Sequence, residues 1–202
     1  MRIYSGRRWL IPGYWPIYLI IALSAVGTIF FAASQDINLA VLLTHPWSLS
    51  YILLSPFLHA GLGHFILNAF ALHFIGGQLL LPILGARLFL VLFAVTAVAG
   101  TVANNILGDA PAIGISAAIL GMLSCALYPF GRVPMKLLFI HDILRLRPFP
   151  LWGVAAFVVM LDIAGIIFGW QLFAHWAHLA GFAAGGIFGW FIFRQRMRRH
   201  MY

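Results

Sequence analysis

The chain has 202 residues, 63% of them hydrophobic and 8% charged, with a mean hydropathy of +1.02 and a formal net charge of +8. A water-soluble domain carries about 25% charged residues and cannot hide this much apolar surface at this length, so composition excludes a soluble fold and points to one lipid-embedded domain. The basic excess does not indicate nucleic acid, because Lys and Arg occupy short connections between apolar stretches, and the single cysteine, Cys125, excludes an intrachain disulfide and a thiolate metal cluster.

A helix needs about 20 mainly apolar residues to cross the hydrocarbon core of a bilayer. Six stretches meet that need: 16–33, 60–81, 86–107, 112–130, 151–170 and 174–193. Turn signals separate them at Asp36 to Pro56, Pro82 to Gly85, Gly108-Asp109-Ala110-Pro111 and Gly131 to Pro150. The expected fold is an all-α bundle of six spans, with an N-terminal segment at 1–15, the membrane domain at 16–194 and a basic tail at 195–202. Ala32-Ala33-Ser34 loosely resembles a signal-peptidase site, but the apolar run before it is longer than a signal peptide requires.

The charges support the count of six. Arg2, Arg7 and Arg8 precede the first span, and Arg87 separates the second from the third. Arg132, Lys136, Arg145 and Arg147 separate the fourth from the fifth, and Arg194, Arg196, Arg198 and Arg199 follow the sixth. All 12 basic residues thus fall on one side, while Asp36 and Asp109 lie on the other. The positive-inside rule places both ends in the cytoplasm, or in the matrix of a mitochondrion. The short leading segment leaves little room for a transit peptide, so a bacterial plasma membrane is the first expectation and the mitochondrial inner membrane the second.

Polar side chains are expensive inside lipid and mark functional candidates. The second span carries His64, Asn68 and His73, the fourth Ser116, the fifth Asp162, and the sixth His175 and His178. His64, Ser116 and His178 each fall about four residues inside the outer end of their span, roughly 6 Å deep at the helical rise. Three polar residues from three spans therefore reach one level. Asn68 shares the face of His64 at i, i+4. Gly181, Gly185 and Gly189 follow His178 on its own face, and Gly114, Ala117, Ala118 and Gly121 offer the fourth span as a close-packing partner. That packing would bring His178 to Ser116.

The chemistry of such a group is acyl transfer. A serine hydroxyl becomes a nucleophile when a base takes its proton, and His178 is the base at hand. The oxyanion that follows needs fixed donors, for which the Asn68 amide, a His64 N–H and the Ser116 N–H are the candidates. Asp162 reads first as a structural residue paired with Tyr or His, and second as an orienting partner for a histidine. No cofactor and no metal is implied: there is no Glu in the chain and no His-Glu-x-x-His. Haem ligation through His64 and His73 is a lesser alternative, and a transporter would carry more charge at mid-membrane.

At these residues the sequence resembles the rhomboid family of intramembrane serine proteases. The resemblance rests on His59-Ala60-Gly61-Leu62-Gly63-His64 followed by Asn68, on Gly76-Gly77, on Gly114-Ile115-Ser116 with Gly121, and on Ala177-His178-Leu179-Ala180-Gly181 with Gly185. The stretch from Met160-Leu161-Asp162 through Gly169-Trp170 to His175-Trp176-Ala177-His178 is similar to the presenilin-associated rhomboid-like branch. The resemblance implies a catalytic dyad of Ser116 and His178, oxyanion roles for His64 and Asn68, and a structural hydrogen-bonding role for His59. It also implies cleavage of membrane-anchored proteins near the outer face. Three positions depart from the pattern. Ala117 replaces the glycine after the serine, where a methyl would crowd the oxyanion site; Leu80 stands where an acidic residue is common; and the first connection lacks the Trp-Arg motif. An inactive, client-binding rhomboid-like protein is the corresponding alternative.

Overall fold

The computed structural model describes residues 13–33, 47–108, 111–135, 148–170 and 173–199. Arg2, Arg7, Arg8, Asp36, Asp109, Lys136, Arg145 and Arg147 lie outside the described residues. The first span is Trp15–Ala33. In the connection after it stands a short helix, Leu49–Leu54, started by Ser48, whose hydroxyl accepts from the Tyr51 N–H at 3.1 Å. A 3-10 turn, Ser55–Phe57, follows, with Pro56 near its start.

The second span begins as the α-helix Leu62–Ala71 and widens into a π-helix, Leu72–Leu80. Gly76 and Gly77 sit within the widened turns. A side chain on Gly76 would press on Phe89 and Met122, and one on Gly77 on Tyr14 and Ile17, so their small size lets the first, third and fourth spans close on the second there. The helix Leu81–Leu107 holds the end of the second span and the whole of the third, divided at Gly85, whose φ of 73° lies in the left-handed region open to glycine. Paired two-residue strands, Pro134–Met135 and Phe149–Pro150, frame the approach to the fifth span. That span, Leu151–Phe168, stops at Gly169, a left-handed C-terminal cap. The sixth, His175–Arg199, continues as helix past the expected end at 193.

The fourth span differs most from expectation. It is helical only over Ser116–Phe130, because Pro111 and the positive φ of Gly114 hold the preceding residues out of the helix. Its 15 residues rise about 22 Å, too few to cross a bilayer core of about 30 Å unaided. Over most of its length it is screened from lipid, and only its end, at Tyr128 and Pro129, is exposed. Every residue from Ala117 to Ala126 is buried, against the second, third, fifth and sixth spans. The outer spans carry the apolar exterior instead: Val26, Ile29, Leu67, Ile167 and Phe168 all point outward. An apolar shell around a polar-bearing centre is the arrangement lipid demands, and the chain is a multi-pass membrane protein.

The fourth and sixth spans touch nearly backbone to backbone. Added side chains at Gly181 and Gly185 would run into the Ala117 and Gly121 carbonyls, and one at Gly121 would come within 2.7 Å of the Gly181 carbonyl. Two residues expected at this seam are elsewhere. Gly114 precedes the helix and lies against His64 and Asn68, while Ala118 belongs to the main core, leaving Ala117 to take its place.

Candidate active site

Three hydrogen bonds and a glycine set the position of Ser116. The Tyr51 hydroxyl donates to the Ala112 carbonyl at 3.0 Å, and the Gly114 N–H donates to the Ser55 carbonyl at 3.0 Å. These tie the segment before the fourth span to the short elements of the first connection. Gly114 has φ 99°, and a side chain there would come within 2.9 Å of the His64 ring, so both backbone and space require glycine. The Ile119 N–H then bonds the Ile115 carbonyl at 3.0 Å, and Ser116 becomes the first helical residue. The first N–H groups of a helix lack partners within it and carry the positive end of its dipole.

The close seam carries His178 to that serine. His178 Nε2 lies 2.8 Å from Ser116 Oγ. On the other edge of the same ring, His178 Nδ1 lies 2.9 Å from Asp162 Oδ1. The same oxygen is 2.7 Å from His175 Nδ1. Asp162 is only 4% exposed, deep among the helices. His175 packs its ring over Gly165, where any side chain would collide with it. Asp162 is therefore paired with two histidines, where a structural pairing was the first expectation and orientation of a histidine the second.

His64 and Asn68 approach from the second span. The Ala60 N–H donates to His64 Nδ1 at 3.4 Å, which leaves the proton of a neutral ring on Nε2. A side-chain carbon on Gly114 would lie 3.0 Å from His64 Nε2 and 3.4 Å from Asn68 Nδ2, so both donors converge on the backbone just ahead of Ser116. Asn68 Nδ2 is buried and has no hydrogen-bond partner among the described residues. His59 sits behind this pair, edge-on to His64 at 4.9 Å between ring centres. Its Nδ1 is 3.2 Å from Thr28 Oγ1, and because the Thr28 hydroxyl donates to the Ser24 carbonyl, the histidine N–H is the donor. Burial, and then the nearby His64, push the His59 pKa down to about 4, so the ring is neutral.

His73 is not brought to this group. It lies toward the other end of the second span, 6.0 Å from the Tyr14 ring and 3.2 Å from Gln78 Nε2. Ala117, the departure beside the serine, packs with Ala112 and Ala177, and a side chain on Gly100 of the third span would strike its methyl. Sequence reasoning did not single out Thr28, Tyr51, Ser55 or Gly165. The first three act through positions that no local pattern marks. Gly165, one turn from Asp162, carried a weak signal as a small residue beside an intramembrane acid. A half-open cavity of about 590 Å³ leads to the group, lined by His64, Ser116, His178, Trp170, Phe173 and Trp176 among others.

Residues 46–195 match the family model of the rhomboid domain. The chain belongs to the rhomboid family. His59, His64, Asn68, Ser116, Asp162, His175 and His178 of this rhomboid all fall inside the matched region. It is 32% identical over 158 residues to Rhomboid protein 1, mitochondrial, of Saccharomyces cerevisiae, a match covering 72% of this chain and 43% of the yeast protein. It is 30% identical over 151 residues to the presenilin-associated rhomboid-like protein, mitochondrial, of Bos taurus, covering 71% and 37% of the two chains. The human protein of that name is 31% identical over 153 residues, with the same coverages of 71% and 37%. The rhomboid chain described here thus spans less than half the length of the curated relatives it matches.

Proposed function

We propose that this rhomboid is an intramembrane serine endopeptidase that cleaves membrane-anchored proteins through Ser116 and His178. The carrying observation is the 2.8 Å contact between Ser116 Oγ and His178 Nε2, held inside an apolar bundle, with Asn68 Nδ2, which has no partner among the described residues, against Gly114 two positions ahead of the serine. Buried polar groups without partners are rare in native proteins, and a donor aimed at the backbone just ahead of the serine suits an oxyanion that exists only during reaction.

In the proposed reaction, His178 Nε2 takes the Ser116 proton as Oγ attacks the scissile carbonyl. The carbonyl oxygen becomes an oxyanion and accepts hydrogen bonds from Asn68, from His64 Nε2–H and from the free N–H at Ser116. His178 then gives its proton to the leaving amine. Water entering by the cavity deacylates the serine, with His178 again as base. A helical, fully hydrogen-bonded peptide cannot be attacked, so substrates with Gly or Pro near the outer end of their helix are favoured. The partners are transmembrane proteins and the bilayer itself.

The one-sided basic residues support an orientation with both ends inside and the cavity open to the outer face. Both a bacterial plasma membrane and a mitochondrial inner membrane share that polarity. The mitochondrial names of the curated relatives weigh toward the second, against the order the leader length suggested. Packing of the Ala117 methyl between the third and sixth spans supports an active enzyme rather than an inactive client-binding protein. The test is cleavage of a transmembrane substrate by purified protein beside Ser116→Ala and His178→Ala. Each variant is expected to lose nearly all activity, and the double variant to be no worse than either single. Wild-type cleavage by Ser116→Ala would end the reading.

A further inference from the structure

Asp162 is a carboxylate in the middle of a membrane span, and the reaction above does not use it. Its Oδ1 lies between His178 Nδ1 at 2.9 Å and His175 Nδ1 at 2.7 Å. His175 and His178 stand three residues apart on the first turn of the sixth span and so share a face. The groups around the His178 ring are then Asp162 from the fifth span, His175 and Phe173 from the start of the sixth, Ser116 from the fourth and His64 from the second.

A neutral imidazole carries one N–H and one lone pair, and the hydrogen bond at one nitrogen decides which the other presents. For His178 to accept the serine proton, Nε2 must present its lone pair, so the hydrogen must sit on Nδ1. An acceptor at Nδ1 enforces that tautomer. When Nε2 gains the proton, the same acceptor stabilises the imidazolium. A lone carboxylate in a bundle would be free to rotate and poorly satisfied. His175 supplies a second N–H to the same oxygen and is itself held in place, because its ring fills the space left by Gly165. Its Nε2 is buried with no partner among the described residues, so Nδ1 carries its one directed bond.

We infer that Asp162 is a positioning residue for His178, fixing the tautomer the base needs, and that His175 is the second donor that holds the carboxylate in register. The inference rests on the Ser116–His178 reading and adds a third and fourth member behind it. It assigns Asp162 no contact with substrate.

The experiment compares Asp162→Asn, Asp162→Glu and His175→Ala with wild type in detergent. Three quantities are followed: the melting temperature, the kcat and KM for a transmembrane substrate, and the rate of Ser116 labelling by a fluorophosphonate across pH 5–9 (roughly the histidine range). Asp162→Asn keeps shape but no longer fixes the proton on Nδ1. It is expected to lower kcat and labelling rate about 10²–10⁴-fold with KM nearly unchanged, as an Asp-to-Asn change behind the histidine does in soluble triads. The lower limb of its pH profile is expected to shift. Asp162→Glu is expected to recover part of the rate, since it restores an acceptor. If Asp162→Asn does not fold, His175→Ala decides, because it leaves Asp162 and His178 in place; it is expected to slow labelling about tenfold at unchanged KM. Labelling at the wild-type rate and pH profile in a folded Asp162→Asn, or in His175→Ala where Asn does not fold, overturns the inference and leaves the dyad intact. Cleavage by Ser116→Ala at the wild-type rate overturns the dyad instead.

Discussion

The fourth and fifth spans are both apolar helices, yet they live in opposite surroundings. The fourth buries every residue from Ala117 to Ala126, while the fifth buries only Leu151, Ala155, Asp162 and Gly165 and turns Trp152, Phe157, Met160 and Ile167 outward. Small residues explain the first case: glycine and alanine let the sixth span approach until backbones touch, which fixes Ser116 against His178. The fifth span is held by a narrow stripe whose centre is a polar contact, Asp162 with two histidines. The approach of His178 to Ser116 is therefore set by packing, and the far edge of the His178 ring by hydrogen bonding.

Breaking the packing should have the largest effect. Gly185→Leu places a side chain in the Gly121 backbone, with nowhere to relax, and should cost more than about 3 kcal/mol or prevent folding. Folded yield and melting temperature in detergent check it, and a normal melting temperature would contradict the seam. Next comes the proposed oxyanion side. Asn68→Ala should lower kcat about 10²–10³-fold with little change in melting temperature, as removal of one oxyanion donor does elsewhere. An unchanged kcat would assign Asn68 to helix packing alone.

On the fifth span, Gly165→Ala intrudes on the His175 ring and should destabilise by about 1–3 kcal/mol. Its partner in the comparison is Ala117→Gly. Loss of a buried methyl and of helix propensity should cost about 1–2 kcal/mol while cleavage stays within about twofold of wild type. A large gain in rate would mean that the methyl does crowd the oxyanion site. Smallest of all, Ile167→Val on the outward face of the fifth span should stay within about 0.5 kcal/mol of wild type, since most of that side chain is exposed.

Much of this was legible without coordinates, for definite reasons. Lipid imposes long apolar runs with polar punctuation, so the spans, their number and the multi-pass class follow from composition and spacing alone. The cost of a polar group in lipid singled out Ser116, His64, Asn68, Asp162, His175 and His178 before any geometry was known. Glycines every four residues after His178 named one face of the seam correctly. Tertiary structure decided the rest. Hydropathy could not show that the fourth span begins at Ser116, because that boundary depends on Gly114 turning left-handed against His64, on the Tyr51 hydroxyl donating to the Ala112 carbonyl and on the Gly114 N–H donating to the Ser55 carbonyl. Nor could spacing along one chain show which nitrogen of which histidine meets Asp162. That is fixed by the rotation of the fifth span against the sixth, and a helix rotates to suit its neighbours, not its own sequence.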